Sequence, residues 1–301
     1  MIYEDRIILY IDILGFRKIV RKTCENNIEM HEHANALLNK LQKVNDFISK
    51  VPINSSIFCT QFSDTIIISF SDVDKQIILD LFSEMHRIII QMVRSGVLFR
   101  GAMTYGKIHH KKDFCFGPAL IEAYETESKA ALYPRIIFDK SILNYLSGIF
   151  SNVTQMQYLM PGHDEKSLDF LRIDTDDNRY FDYFLSAAIC LDRDELIDYF
   201  KFLRTLIIDG IENNEPDIRV KYGWMKNKYN NMKSEMENFI GTLDNFSPIK
   251  LPAASGVSSG IFQPLQAGGD LPSDSQSVSR RDQLKGTIGY FNSLFDLYFK
   301  I

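Results

Sequence analysis

Two aspartates occupy positions where a buried strand has little use for a charge: Asp12 in Tyr10-Ile11-Asp12-Ile13-Leu14-Gly15-Phe16 and Asp64 in Gln61-Phe62-Ser63-Asp64-Thr65-Ile66. Each stands at the end of an apolar, β-branched run. A carboxylate there needs a cation or backbone N–H donors to offset its desolvation. Taken singly, either aspartate could cap a following helix or turn. Taken together, on neighbouring strands, they could hold divalent cations that bind polyphosphate oxygens and lower the pKa of an attacking hydroxyl.

Other residues compete less well for chemistry. Tyr105 and Tyr124 could stack on a ligand ring, although aromatics on strands and helices more often belong to a core or interface. His109-His110-Lys111-Lys112 reads as a solvated hairpin tip, because adjacent strand residues point to opposite faces and cannot chelate one ion. Asp174, Asp176 and Asp177 lack the Gly and terminal Glu of a calcium loop and read as a solvated face. The four cysteines (Cys24, Cys59, Cys115 and Cys190) have no Cys-x-x-Cys spacing, so neither a zinc site nor a disulfide framework is indicated. A formal net charge of -5 argues against a DNA-binding protein, which would carry an excess of Lys and Arg. No apolar run approaches the roughly 20 residues of a membrane span. The start of the chain lacks signal-peptide order, and the expected location is cytoplasmic.

The elements that must position the aspartates can be read from periodicity. Arg6 to Ile13 reads as a strand covered on both faces, ended by a turn at Gly15. Residues 16 to 49 read as helix, including Ile28, Ala36, Leu37, Leu41, Val44 and Phe47. Ser56 to Thr60 and Thr65 to Phe70 read as a hairpin with Asp64 at its turn. A helix over Asp74 to Ser95 precedes strands Val97 to Thr104 and Gly106 to His110; a helix from Pro118 to Ala131 and a strand from Arg135 to Phe138 come next. This order implies an α+β mixed sheet with a ferredoxin-like βαββαβ core, not a doubly wound parallel sheet. The expected organisation is a core over 1–145, a mainly helical extension over 146–246 and a flexible Gly/Ser/Pro-rich segment over 247–285. A C-terminal helix over 286–301 would dock on the body or on a second subunit.

The ordered motifs Asp12-Ile13-Leu14-Gly15-Phe16, Phe62-Ser63-Asp64, Arg100-Gly101-Ala102 with Tyr105-Gly106, Phe116-Gly117-Pro118-Ala119 and Pro134-Arg135-Ile136-Ile137 together resemble the class III nucleotidyl cyclases. The resemblance covers about the first half of the chain and is nearest to the pyrimidine (uridylate or cytidylate) cyclases of bacterial Pycsar antiphage systems. It implies two Mn2+ or Mg2+ ions per site, held by Asp12, Asp64 and the Ile13 carbonyl, with the Gly15-Phe16 backbone against the triphosphate. The implied reaction closes UTP or CTP into a 3',5'-cyclic monophosphate and expels pyrophosphate, in a homodimer whose product activates an effector.

Departures from the family pattern bear on specificity and catalysis. Where purine cyclases resembling this chain read the base with Lys and Asp, it has Thr60 and Phe114, which favours a smaller pyrimidine ring. The positions of the family's helical Asn and Arg fall on Ile121 and Glu125. The positive charge at the reacting phosphate is therefore expected from Arg100, ahead of Lys107 or Arg135. Two other readings compete: a catalytically inactive nucleotide-binding module, and a purine cyclase. A diguanylate cyclase is disfavoured by the absence of a Gly-Gly-Asp/Glu-Glu-Phe hairpin.

Overall fold

The computed structural model describes residues 2–23, 39, 42, 57–71, 75–111, 114–149, 171–244, 280–295 and 299. Most of the helix expected to reach residue 49, and most of the segment expected to be flexible, lie outside these residues.

The first strand, β1 (Glu4–Ile13), is apolar on both sides because both sides are covered. Ile7, Leu9, Ile11 and Ile13 enter the main core, where Ile78, Leu81, Phe82, Met85 and Ile89 of α2 (Lys75–Arg94) meet them. Ile8 points the other way, into a smaller cluster with Ile67, Ile108, Ala119 and Ala123. Burying one such isoleucine contributes about 1.5–3 kcal/mol, so β1 anchors the sheet from its centre. A turn at Gly15, with φ +74°, leads into α1 (Phe16–Thr23).

β2 (Ile57–Phe62) and β3 (Thr65–Ser71) form an antiparallel hairpin joined by Ser63 and Asp64, with Ser63 at φ 57°. A positive φ at the first central residue suits the right-handed twist of a two-residue hairpin. β4 (Phe99–Lys111) is one continuous strand through Tyr105-Gly106, where the sequence suggested a break. β5 (Phe114–Phe116) folds back on its end, α3 (Pro118–Ala130) comes next, and β6 (Ile136–Phe138) lies parallel to β4. The order β2-β3-β1-β4, antiparallel throughout, is the expected ferredoxin-like βαββαβ core of an α+β protein.

α4 (Lys140–Ile149) ends the first half of the chain. The second half is not purely helical: β7 (Leu171–Ile173) and β8 (Arg179–Phe181) extend the same sheet in the order β4-β6-β8-β7. After α5 (Ala187–Cys190), a capping box starts α6 (Arg193–Ile211): Asp192 Oδ1 accepts from the Glu195 N–H (2.9 Å), and Glu195 reaches back to the Asp192 N–H. Glu195 also accepts from Arg94 (3.0 Å), which ties α6 to the end of α2.

α7 (Pro216–Asp244) packs on α6, and α8 (Arg280–Leu294) closes the bundle. Phe291 of α8 meets Phe200 of α6 at 4.5 Å, and Phe295 meets Tyr229 of α7 at 5.8 Å. The C-terminal helix thus packs on the body of its own chain, one of the two docking sites expected for it.

Of the acidic cluster read as a solvated face, Asp176 and Asp177 are exposed, but Asp174 is buried at the centre of a charge hub. The carboxylate of Asp174 pairs with Arg135, accepts from Trp224 Nε1 (2.7 Å) and lies 2.8 Å from Lys228 Nζ. The Arg135 guanidinium is fully buried, also pairs with Asp176, and lies over Tyr133, which stacks on Trp224. Core, β7–β8 turn and α7 are joined through this one charge network. Burial works against ionising Asp174, yet Lys228, the Thr175 N–H and Trp224 together hold its carboxyl below the usual range.

Candidate active site

Pairing brings the two aspartates to one place. Asp12 lies opposite Thr65 of β3 on one side and Arg100 of β4 on the other. The Ile13 N–H donates to the Asp64 carbonyl (2.9 Å), so the hairpin turn is fastened to the end of β1. The register places Phe62, Thr65, Asp12 and Arg100 in one row across the sheet, with Thr60, Ile67, Tyr10 and Ala102 in the next row on the same face.

Arg100 Nε donates to Asp12 Oδ2 (3.1 Å) and lies 2.6 Å from Glu127 Oε1. Glu127 is a carboxylate that the sequence motifs do not single out. It shares the buried stripe of α3 with Ala119 and Ala123, at spacing i, i+4, i+8, and is 2% exposed. Gly117 makes that placement possible. Its φ is +152°, and a Cβ there would stand 2.7 Å from the Lys107 carbonyl oxygen, so no larger residue allows α3 to approach β4 so closely.

Burial dominates the electrostatics, with like charge adding to it. Burial pushes the Asp12 carboxyl above the usual range; Arg100 opposes the shift, Asp64 adds to it and Lys221 opposes it. Burial likewise raises Glu127, with Arg100 opposing and Asp12 adding. Tyr10 is raised by burial, lies 3.5 Å from the Thr65 hydroxyl and makes an edge contact with Tyr124 at 6.1 Å. Among the described residues, Arg100 thus lies at contact distance from two carboxylates, Asp12 and Glu127, and the charge of Asp64 also reaches Asp12. Hard oxygen donors with surplus negative charge suit a divalent cation such as Mn2+ or Mg2+. Among the described residues no group of three or more His, Cys, Asp or Glu side chains is placed to hold a metal ion. A cation here would draw its remaining ligands from backbone and substrate.

The other sequence-derived candidates separate into two groups. Gly15 lies exposed beyond Asp12 with open space at its Cβ position, and Phe16 beside it is half-buried. Thr60 shares the face of Asp12, but its hydroxyl is engaged with His110 Nε2 (3.0 Å). Tyr124, 55% exposed, faces the site through Tyr10. Phe114 packs against His109 and Phe116 at the other end of β4 from Arg100. Tyr105 is a correction. It lies opposite Ile7, on the face away from Asp12, and stacks on Tyr145 of α4 at 3.8 Å, so its ring serves the core and is not available to a ligand beside the aspartates.

His110 is a second correction. It is 4% exposed, not at a solvated tip, with Nδ1 on Ser69 (2.8 Å), whose hydroxyl also accepts from Arg6 Nε (2.9 Å). Burial, with the nearby charges of Arg6 and His109, pushes its pKa down to about 4.

No family model matches the sequence, and no curated protein matches it. Among solved structures, the chain is similar to the adenylyl cyclase CyaB from P. aeruginosa, at 15% identity and TM-score 0.39 over 49% of this chain and 82% of that one. It is also similar to the monomeric guanylyl cyclase domain of the RhoGC fusion protein from the aquatic fungus Blastocladiella emersonii, at 14% identity and TM-score 0.36, covering 48% and 86%. A third is the adenylate/guanylate cyclase/hydrolase from Silicibacter pomeroyi, at 15% identity and TM-score 0.35, covering 50% and 83%.

Proposed function

We propose that the chain is a nucleotidyl cyclase that converts UTP, or CTP, into its 3',5'-cyclic monophosphate and pyrophosphate. The observation that carries this reading is the approach of Asp64, in the β2–β3 turn, to Asp12 near the end of β1: the Asp64 carbonyl accepts from the Ile13 N–H, and the Asp64 charge reaches the Asp12 carboxyl. Asp12, Asp64 and the Ile13 carbonyl would hold the divalent ions. When bound, such ions neutralise phosphate charge and acidify the ribose hydroxyl. The chain's own task is positioning: Gly15 leaves the backbone open to the triphosphate, and the face bearing Tyr10, Thr60 and Tyr124 receives ribose and base.

Thr60, already satisfied by His110, offers a short polar surface where a charged purine reader would stand, which favours a pyrimidine. Phe62 (80% exposed), in the row of Asp12, and Ile121 (61%), on α3, are exposed apolar side chains that would suit a second copy of the chain. No described helix is long and apolar enough to cross a membrane, and the proposed setting is the cytoplasm, where the cyclic nucleotide would activate an effector in phage defence.

A second reading has its own support. Arg100 is balanced by Asp12 and Glu127, which suits a module that binds nucleotide without turning it over. The test is incubation of the protein with Mn2+ and each of the four NTPs, with chromatographic analysis of products. Cyclic UMP or cyclic CMP as the dominant product supports the proposal. Tight NTP binding without product selects the second reading, and a cyclic purine nucleotide refutes the pyrimidine assignment.

A further inference from the structure

The sheet face that carries Asp12 also carries a chain of buried hydrogen bonds that ends at Thr60. Arg6 Nε donates to Ser69 Oγ (2.9 Å), Ser69 Oγ meets His110 Nδ1 (2.8 Å), and His110 Nε2 meets Thr60 Oγ1 (3.0 Å). Arg6 and Ser69 are fully buried and His110 nearly so. The Phe58 ring packs against both Arg6, at 4.9 Å, and His110, at 5.7 Å, which holds the two in place.

The chain of bonds runs in one direction. A guanidinium can only donate, so Ser69 Oγ accepts from Arg6. Among the described residues Ser69 Oγ has one other hydrogen-bond partner, His110 Nδ1, and its own proton goes there. The reverse order would leave that buried proton without an acceptor. His110 is neutral at pH 7 and has one N–H to give; with Nδ1 accepting, that N–H is on Nε2 and is donated to Thr60 Oγ1. His110 thus occupies only the acceptor side of the Thr60 hydroxyl, whose proton remains to be donated. Its partner on that side is the Cys115 sulfur, a weak acceptor that a carbonyl oxygen would displace.

We propose that Thr60 reads the nucleobase as a fixed hydrogen-bond donor, so that of the two pyrimidines the site takes uracil, with a carbonyl at position 4, over cytosine, with an amino group there. The inference rests on the reading of the Tyr10, Thr60 and Tyr124 face as the base site, and goes further by choosing one base. Thr60 lies one row in from Asp12 and two strands across. A nucleotide with its phosphates at Asp12 reaches it with the base edge remote from the ribose, where position 4 lies. An amino group at that place would set donor against donor and leave both unpaired. Arg6, Ser69 and His110 are positioning residues, acting through the orientation of the Thr60 hydroxyl.

The test measures binding of UTP and of CTP to the full chain in Mg2+ by calorimetry, alongside product formation from each. The wild-type chain is expected to bind UTP about tenfold or more tighter than CTP, the effect of one unpaired polar group. Thr60→Val, which keeps the shape and removes the hydroxyl, should bring the two affinities within about threefold. Thr60→Ser should keep the preference. Ser69→Ala, which frees His110 to take either tautomer, should shrink the UTP to CTP ratio, and His110→Phe tests the same step if Ser69→Ala does not fold. A purely structural role for Ser69 and His110 would change both affinities together and leave the ratio as it was. Circular dichroism and the urea midpoint establish that each variant is folded.

Equal binding of UTP and CTP by the wild-type chain, binding of neither, or an unchanged ratio in folded Thr60→Val overturns the inference, even if an NTP is cyclised. A UTP preference that Thr60→Val abolishes, in a protein that cyclises no NTP, supports the inference while the cyclase reading fails.

Discussion

Replacing Asp174 by Asn should strip the extension of its hold on the core. The substitution keeps the size of the side chain and an oxygen for Trp224 Nε1, but removes the charge that faces Arg135, which is fully buried, and Lys228 at 2.8 Å. Asp176 remains on Arg135, but its side chain is 37% exposed and satisfies only part of the guanidinium. Breaking a buried ion pair by removing one partner costs about 3–5 kcal/mol, much of it from the cation left without a counter-charge. Against a total stability of roughly 5–15 kcal/mol, that is a large fraction. In urea, with m about 2–3 kcal/mol/M for a chain of this size, the midpoint should fall by about 1–2 M with m nearly unchanged. A change below about 1 kcal/mol would show that the hub is not what joins α7 to the sheet.

Two further outcomes are expected from other parts of the fold. His86 is 1% exposed and pushed down to about 3 by burial, and His110 is down to about 4, so both stay neutral in the folded protein while the unfolded chain protonates them near 6.5. The unfolded state then binds more protons, and stability should fall as pH drops from about 6.5 towards 4, by up to about 1.4 kcal/mol per pH unit for each histidine. His110→Gln should flatten that slope in urea titrations run at several pH values. Gly117→Ala forces a Cβ against the Lys107 carbonyl and a left-handed φ on alanine, which should cost about 1–3 kcal/mol in thermal or urea unfolding. Because Gly117 starts the helix that carries Glu127, product formation should fall further than the stability change alone explains.

Much of this architecture could be read from residue order. The Ile-rich run of β1, the turn chemistry of Phe62-Ser63-Asp64 and the 3.6-residue period of α2 each point to one element, and their order gives the ferredoxin-like core. What sequence withheld was register and distance. Tyr105 looked available because no local pattern tells which face a residue of β4 takes once paired with β1. Asp174 looked solvated because its partners Arg135 and Trp224 lie 39 and 50 residues away. β7 and β8 are three residues each, too short to show alternation. Glu127 did leave a signal: the stripe Ala119, Ala123, Glu127 places a carboxylate after two small residues, on the side of a helix that must pack closely.

Manganese binding monitored by electron paramagnetic resonance, in the presence of UTP, reads the shared-carboxylate claim most directly. The wild-type chain should bind two Mn2+ per site, and both Asp12→Asn and Asp64→Asn, still folded, should lose high-affinity Mn2+. Undiminished Mn2+ binding in either variant would contradict the account, because the two side chains would then not be holding the same ions.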